Sequence, residues 1–226
     1  MRKLFYLLTF LLVIGNFRFL LAQDHDFGIH MEAELSKKLS KRIELQFAEE
    51  LRFNQNVTEF DRSLATLAAS YSLNKVVKAG LFYTWIYANN QDDGYYESRH
   101  RFGGWVQASH KINRFRFTVR EKFQNTYRDE DLGNFKYNPK MYLRSKLEAS
   151  YNIKKMPLKP YFSTEMFYQL NNPYGNEIDK WRLTLGSDYS FNKKFSVSPF
   201  LRIDKEVNVK NPLTIFIAGS AVKFEF

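Results

Sequence analysis

Basic and acidic side chains recur at every second position in several stretches of this sequence. In the stretch RFRFTVREKFQ, Arg116, Arg120 and Lys122 alternate with apolar residues, and Arg144 and Lys146 repeat the pattern further along the chain. A row of guanidinium and ammonium groups attracts anions, and interleaved carboxylates pair with such cations. The spacing therefore predicts either an anion-attracting surface or a set of paired charges.

Counted by parity, nearly equal numbers of bases and acids fall on one polar face of the chain. The candidates for lining a pore are Arg52, Arg101, Arg116, Arg120, Lys122, Arg144, Lys146, Glu148, Glu165, Arg182 and Arg202. Two interpretations stay open. The face is either a packed interior in which the charges pair, or the wall of a water-filled pore that admits anions.

Candidates for catalysis are few. Ser98 and His100 lie two residues apart and would share one face of a strand, as in a lipid-facing hydrolase, but no orienting carboxylate accompanies them. The sequence contains no Cys and no His-Glu-x-x-His motif, and His30 near Glu32 is interpreted as a hydrogen-bonding residue. We expect no catalytic residues, no metal site and no cofactor.

The charged face belongs to segments with strict two-residue alternation, which is typical of β-strands. Eleven such segments are recognised, and most are long enough to cross a bilayer at a tilt. They span residues 26–37, 41–53, 62–73, 76–87, 98–112, 114–124, 139–152, 159–170, 180–191, 195–205 and 213–226.

The connections between these segments alternate between short and long. The longer ones are residues 54–61, 88–97, 125–138, 171–179 and 206–212. Outer-membrane barrels have short periplasmic turns and longer external loops, so all five are expected on the outside. Their acidic and polar composition would place that charge at the cell surface.

Both ends of the chain indicate export. Residues 1–22 have a basic start, an apolar run and a plausible cleavage point after Ala22, which is the layout of a signal peptide. An uncleaved membrane anchor is the alternative, and Arg18 within the apolar segment argues against it. The final segment alternates up to Phe226, which resembles the assembly signal of Gram-negative outer-membrane β-barrels.

These observations predict an all-β protein: a transmembrane antiparallel up-and-down β-barrel of about 10–12 strands over residues 23–226, in the outer membrane. Eleven segments conflict with the even number expected of such barrels, so 10 or 12 strands are predicted. An exported β-sandwich or lipocalin-like barrel is the soluble alternative. Glu49 and Glu121 fall on the predicted lipid face, and both are expected near the outer interface.

Three loose motifs carry a resemblance to a known family: FAEELRF at 47–53, Arg99–Phe102, and the 114–124 stretch. They resemble an uncharacterised β-barrel family common in Bacteroidota, known only as a domain of unknown function. The resemblance implies an outer-membrane location and no defined activity.

The expected function is a narrow, anion-leaning channel or porin for small solutes. The alternatives are a closed structural or surface-binding barrel with a plugged, charged lumen, and an outer-membrane lipid hydrolase. Expected partners are outer-membrane lipid and lipopolysaccharide, and the barrel-assembly machinery through the strand ending at Phe226. Nucleic acid is not expected, despite a net charge of +10, because the basic residues form no run. The protein is expected to be a monomer.

Overall fold

The structure is a computed structural model that describes residues 25–90, 94–128, 138–209 and 211–226. The predicted signal peptide lies outside these residues. The described chain forms eleven strands: β1 His25–Lys38, β2 Ile43–Asn54, β3 Glu59–Ser72, β4 Val77–Asn90, β5 Tyr95–Ile112, β6 Phe115–Arg128, β7 Lys140–Tyr151, β8 Leu158–Gln169, β9 Glu177–Ser190, β10 Phe195–Glu206 and β11 Thr214–Glu225. In the described part of the chain, no helix is long and apolar enough to cross a membrane.

The eleven strands close into one barrel, in which each strand pairs with its neighbours in sequence and β1 pairs with β11. All consecutive pairs are antiparallel, whereas β1 and β11 are parallel, with Ile29 opposite Ala218 and Leu35 opposite Phe224. The prediction of a barrel of about 10–12 strands is therefore confirmed, whereas the expectation of an even number is wrong. A parallel ladder also satisfies the backbone groups of both strands, so an odd number of strands closes without a free edge.

The apolar side chains point outward along the middle of the strands. Six of them are 52–70% exposed: Leu67, Leu81, Val106, Leu147, Leu185 and Leu201. A soluble sandwich or lipocalin-like barrel would bury such residues. Among the described residues only eight apolar residues are buried, and three of them, Leu64, Ile86 and Ala88, form one small cluster. The outer surface is therefore built to contact lipid.

Aromatic residues form two belts on the outer surface. At the end that carries the longer connections, Tyr87 stacks on Tyr96 with ring centroids 5.0 Å apart. At the opposite end, Phe224 contacts Phe226 edge-on at 4.8 Å. Aromatic girdles at both interfaces flank the apolar band of transmembrane barrels.

Three short turns repeat one local structure. Ser40, Asn74 and Asn192 each follow an apolar residue, and each side-chain oxygen accepts hydrogen bonds from the backbone amides two and three residues further on. Such Asx- and Ser-type turns supply the partners that a tight connection leaves unpaired. The turn at Asn113 is shorter, and Asn113 takes a left-handed conformation with φ of 56°.

Two bulges lie toward the opposite end of the barrel. The β2–β3 register shifts between Arg52 and Phe53, and the β8–β9 register shifts between Phe167 and Tyr168. Each shift leaves one unpaired residue on the partner strand, which is Asp61 in β3 and Asp179 in β9. A bulge re-aims a side chain, so simple alternation does not extend through these positions.

Three glycines on the inner face are covered by an aromatic residue directly opposite on the next strand. Trp105 covers Gly80, Tyr161 covers Gly186, and Phe200 covers Gly219. A Cβ atom added to these glycines would lie 2.3–2.6 Å from ring atoms. The three rings thus lie against the barrel wall where a side chain would otherwise stand.

Candidate functional site: the charged lumen

The strand registers place all eleven candidate lining residues on the inner face of the barrel. They do not lie at one height. Arg116 is exposed at the rim that carries the short turns, opposite Ser150. Lys146 and Glu148 pair with each other at 2.7 Å. Most of the others meet near the middle of the lumen.

Glu165 lies at the centre of this middle region and is almost fully buried. Its carboxylate accepts two hydrogen bonds from Arg144, at 3.1 and 2.8 Å. Arg120 approaches it at 3.5 Å and Arg182 at 3.7 Å. One carboxylate therefore binds cations from β6, β7 and β9 around a buried position.

Arg182 also forms a two-bond pair with Asp204 on β10, at 2.7 and 2.6 Å. Lys180 lies 3.9 Å from the same carboxylate. The ring of Phe167 lies beneath three cations: Arg144 at 4.3 Å, Lys180 at 4.4 Å and Arg182 at 5.2 Å from its centroid. Cation–π contact stabilises like charges that would otherwise repel one another.

A second group of charges enters from β1, β2 and β10. Arg52 donates two hydrogen bonds to Glu50, at 3.0 and 2.9 Å, and His30 lies 3.2 Å from the same carboxylate. Arg202 approaches the His30 ring at 3.5 Å and stacks on Phe200 at 4.4 Å. Arg52 and Arg182 interact electrostatically across the lumen.

In the middle of the lumen, three cations form no ion pair with a carboxylate among the described residues. Arg101 donates to the Thr126 hydroxyl at 3.0 Å, and Lys122 lies 3.7 Å above the ring of Phe82. Arg202 contacts His30, and its Nε atom is buried without a hydrogen bond. None of the three forms an ion pair among the described residues, although Asp204 and Glu50 attract Arg202 from a greater distance.

The middle of the lumen, here called the central belt, therefore has more cations than carboxylates. Its carboxylates are Glu32, Glu50, Glu165 and Asp204. Its cations are Arg52, Arg101, Arg120, Lys122, Arg144, Lys180, Arg182 and Arg202. The net charge of the central belt is therefore positive by several elementary charges, and its electric field attracts anions.

Below the central belt, toward the short turns, several charges form ion pairs. Lys78 pairs with Glu44 at 2.6 Å, and Lys223 pairs with Glu34 at 3.3 Å. The sequence shows nearly equal numbers of basic and acidic residues, but these residues are not evenly distributed along the axis of the barrel. The positive excess is concentrated in the central belt.

Above the central belt lie two further ion pairs, whose residues are not among the eleven candidates for lining a pore. Asp61 joins Arg62 through two bonds at 2.6 and 2.9 Å, and Glu97 pairs with Arg99. Lys180 is likewise outside that set. Arg99 and Lys180 lie within the predicted segments 98–112 and 180–191 and follow the same parity as Arg101 and Arg182, so the alternation within those segments was enough to identify them. Asp61 sits at a bulge, which parity cannot place.

The Ser98–His100 pair is not arranged as a catalytic dyad. Both residues face outward. The Ser98 hydroxyl accepts a hydrogen bond from Trp85 at 3.2 Å, and His100 is bonded to the Tyr83 hydroxyl at 2.8 Å. Each side chain is thus engaged by an aromatic residue of β4 in the outer belt. Within the described residues, no group of His, Asp and Glu is arranged to hold a metal ion.

Two carboxylates lie on the outer, lipid-facing surface. Glu121 accepts a hydrogen bond from Ser145 at 2.7 Å, and Glu49 accepts one from Ser63. In each case the serine belongs to the adjacent strand. A hydroxyl from the neighbouring strand partly replaces the water that these carboxylates lose.

A closed barrel with an apolar outer band, aromatic belts and a charged interior defines a transmembrane β-barrel. Residues 27–208 match the family described as "Protein of unknown function (DUF2490)", and the chain belongs to that family. The resemblance to an uncharacterised barrel family is therefore confirmed, whereas its occurrence in Bacteroidota stays a prediction.

Two solved structures resemble this chain at low sequence identity. One is described as "KdgM porin"; it is 13% identical, with a TM-score of 0.49, and the match covers 89% of this chain and 98% of that chain. The other is described as "Bacterial polysaccharide outer membrane secretin"; it is 16% identical, with a TM-score of 0.47, covering 83% and 77%. No curated protein matches the sequence.

Proposed function

We propose that the chain is an outer-membrane channel that favours small anions. The cation excess of the central belt is the observation that carries the proposal. Arg101, Lys122 and Arg202 enter the lumen without a carboxylate partner among the described residues. A narrow passage lined by uncompensated cations attracts anions and repels cations.

The location rests on the outer surface of the barrel and on the export signals of the sequence. A heat-modifiable band in outer-membrane fractions, with residues 1–22 removed, would support it. Recovery of the protein from the soluble periplasm would contradict it. The assembly machinery acting on the strand ending at Phe226, contact with lipopolysaccharide and the monomeric state belong to the same proposal.

Reconstitution in planar bilayers tests the channel directly. In a potassium chloride gradient, the reversal potential should show that chloride is favoured. Replacing Arg101, Lys122 and Arg202 together by Gln should move that potential toward the value for no selectivity. Arg42→Gln is a control, because Arg42 lies in the β1–β2 turn outside the lumen. A cation-selective wild-type channel would overturn the proposal.

A closed barrel is the second candidate, and the ion pairs of the central belt favour it. Arg144 and Arg182 are each 12% exposed, so the middle of the lumen is narrow. Absence of conductance at any applied voltage, in barrels shown to be inserted, would assign the chain to this class.

A further inference from the structure

We propose that the central belt contains a discrete binding site for a compact, doubly charged oxyanion, of which inorganic phosphate is the simplest. Lys122 and Arg101 would donate to the anion, and Arg144 would stand beside it. The inference rests on the proposed function only in that both use the same lumen. A site of this kind predicts saturable binding, whereas a diffuse positive field predicts selectivity alone.

The first observation is a juxtaposition of like charges. Lys122 and Arg144 are direct partners in the β6–β7 register, so their side chains leave the wall side by side. Like charges directly opposite each other on a sheet are destabilising. Arg144 has Glu165 as a counter-ion, but Lys122 has neither a hydrogen bond nor an ion pair among the described residues.

The second observation is the path of the Lys122 side chain. It begins on β6 and ends above the ring of Phe82 on β4, so it crosses β5. Phe82 is the register partner of Gly103, which has no side chain to obstruct this path. The Lys122 ammonium therefore lies close to β5, the strand that contains Arg101.

Arg101 is the next inward-facing residue after Gly103 on β5. Its Nε atom is bonded to Thr126 at 3.0 Å, which fixes the plane of the guanidinium. Its two terminal nitrogens have no partner among the described residues. Arg101 and Lys122 interact electrostatically with each other and with Arg144. Three cations from the adjacent strands β5, β6 and β7 are therefore close enough to repel one another.

The arrangement favours a tetrahedral dianion over a single carboxylate. A planar carboxylate matches one guanidinium fork, whereas phosphate presents oxygens in several directions to donors from separate strands. Lysine is a compact point charge suited to phosphate. Glu165, the nearby carboxylate, is already shared by Arg144, Arg120 and Arg182, so it does not neutralise the pair.

Calorimetric titration of the folded barrel in detergent with inorganic phosphate, at constant ionic strength set by chloride, tests the site. We expect saturable binding that Lys122→Gln and Arg101→Gln each weaken about tenfold, which corresponds to one charge-assisted hydrogen bond. Lys122→Arg should retain most of the affinity. Sulfate should compete with phosphate, whereas acetate should not.

Lys78→Gln is the matched control, because Lys78 also faces the lumen but is paired with Glu44. It removes the same charge from the lumen without touching the site, so phosphate affinity should stay unchanged. An equal loss in Lys78→Gln, or phosphate binding no tighter than chloride, would overturn the site. The heat-modifiable shift on gels shows that each variant is folded.

The outcomes for the site and for the channel are separable. Phosphate binding without conductance would overturn the channel and leave the site standing. Anion-selective conductance without phosphate binding would overturn the site alone.

Discussion

Arg182 and Asp204 lie directly opposite each other on β9 and β10, and two hydrogen bonds of 2.7 and 2.6 Å join guanidinium to carboxylate inside the barrel. Breaking a buried pair leaves an uncompensated charge, which typically costs 3–5 kcal/mol. We expect Asp204→Asn to lower the free energy of unfolding by about 3 kcal/mol, measured by urea denaturation in lipid vesicles. The loss should exceed that of an exposed pair.

Lys38 and Glu225 supply that comparison. They form an ion pair between β1 and β11 at the rim, where the side chains are 60% and 41% exposed. Exposed pairs contribute about 0–1 kcal/mol, so Glu225→Gln should have a small effect. Equal losses in the two variants would contradict the buried role assigned to Asp204.

The contact between Gly186 and Tyr161 gives a second prediction. A Cβ atom at position 186 would lie 2.5 Å from the Tyr161 ring and 2.9 Å from the backbone oxygen of Pro199. Gly186→Ala should therefore push the ring into the lumen, lowering single-channel conductance and reducing stability by about 1–3 kcal/mol.

Removing the Tyr161 ring as well separates the effect on conductance from the effect on stability. In the Gly186→Ala, Tyr161→Ala double variant, the obstruction is gone and conductance should recover, which a double-mutant cycle would measure. If Tyr161→Ala fails to restore conductance in that background, the ring is not what narrows the lumen.

Glu121 and Ser145 form a hydrogen-bonded pair on the lipid-facing surface. Replacing one should raise the stability of the barrel, and replacing the other should lower it. Glu121→Gln keeps a hydrogen-bonding group but removes a charge from lipid, so it should stabilise the barrel by about 1 kcal/mol. Ser145→Ala leaves the carboxylate without its donor and should destabilise by about 1–3 kcal/mol. Refolding titrations into vesicles measure both. Stabilisation by Ser145→Ala would show that the hydrogen bond has no such role.

The orientation of the barrel is testable because the chain contains no Cys. A single Cys at Asn56, in the β2–β3 turn, should react with a membrane-impermeant maleimide on intact cells. A single Cys at Lys193, in the β9–β10 turn, should react only after the outer membrane is opened. The reverse pattern would invert the assignment of the two rims.

Most of the fold follows from alternation. All eleven strands were located from period-two patterning, since lipid on one side and charge on the other leave no ambiguity about which face is which. The closure was not predictable, because no residue pattern distinguishes a parallel from an antiparallel partner for β1. The bulges at Asp61 and Asp179 were missed for a related reason: an inserted residue breaks the parity on which the prediction depends.

The candidate site was only partly predictable. Parity identified which charges face inward, but it contains no information on height or on lateral pairing. Arg116 and Lys122 are alike in sequence, yet one lies exposed at the rim and the other lies over Phe82 in the middle of the lumen. The partner of each charge depends on shear between strands, which appears only in the assembled barrel.

The parallel seam between β1 and β11 separates the ends of the described chain. The Phe226 amide is bonded to the Ser36 carbonyl, whereas His25 begins β1 at the other rim, roughly 36 Å away at about 3.3 Å per residue. A short linker therefore cannot join the two ends, so circular permutation would require a tether that passes through or around the wall. Reporters fused before His25 and after Phe226 would likewise occupy different aqueous compartments.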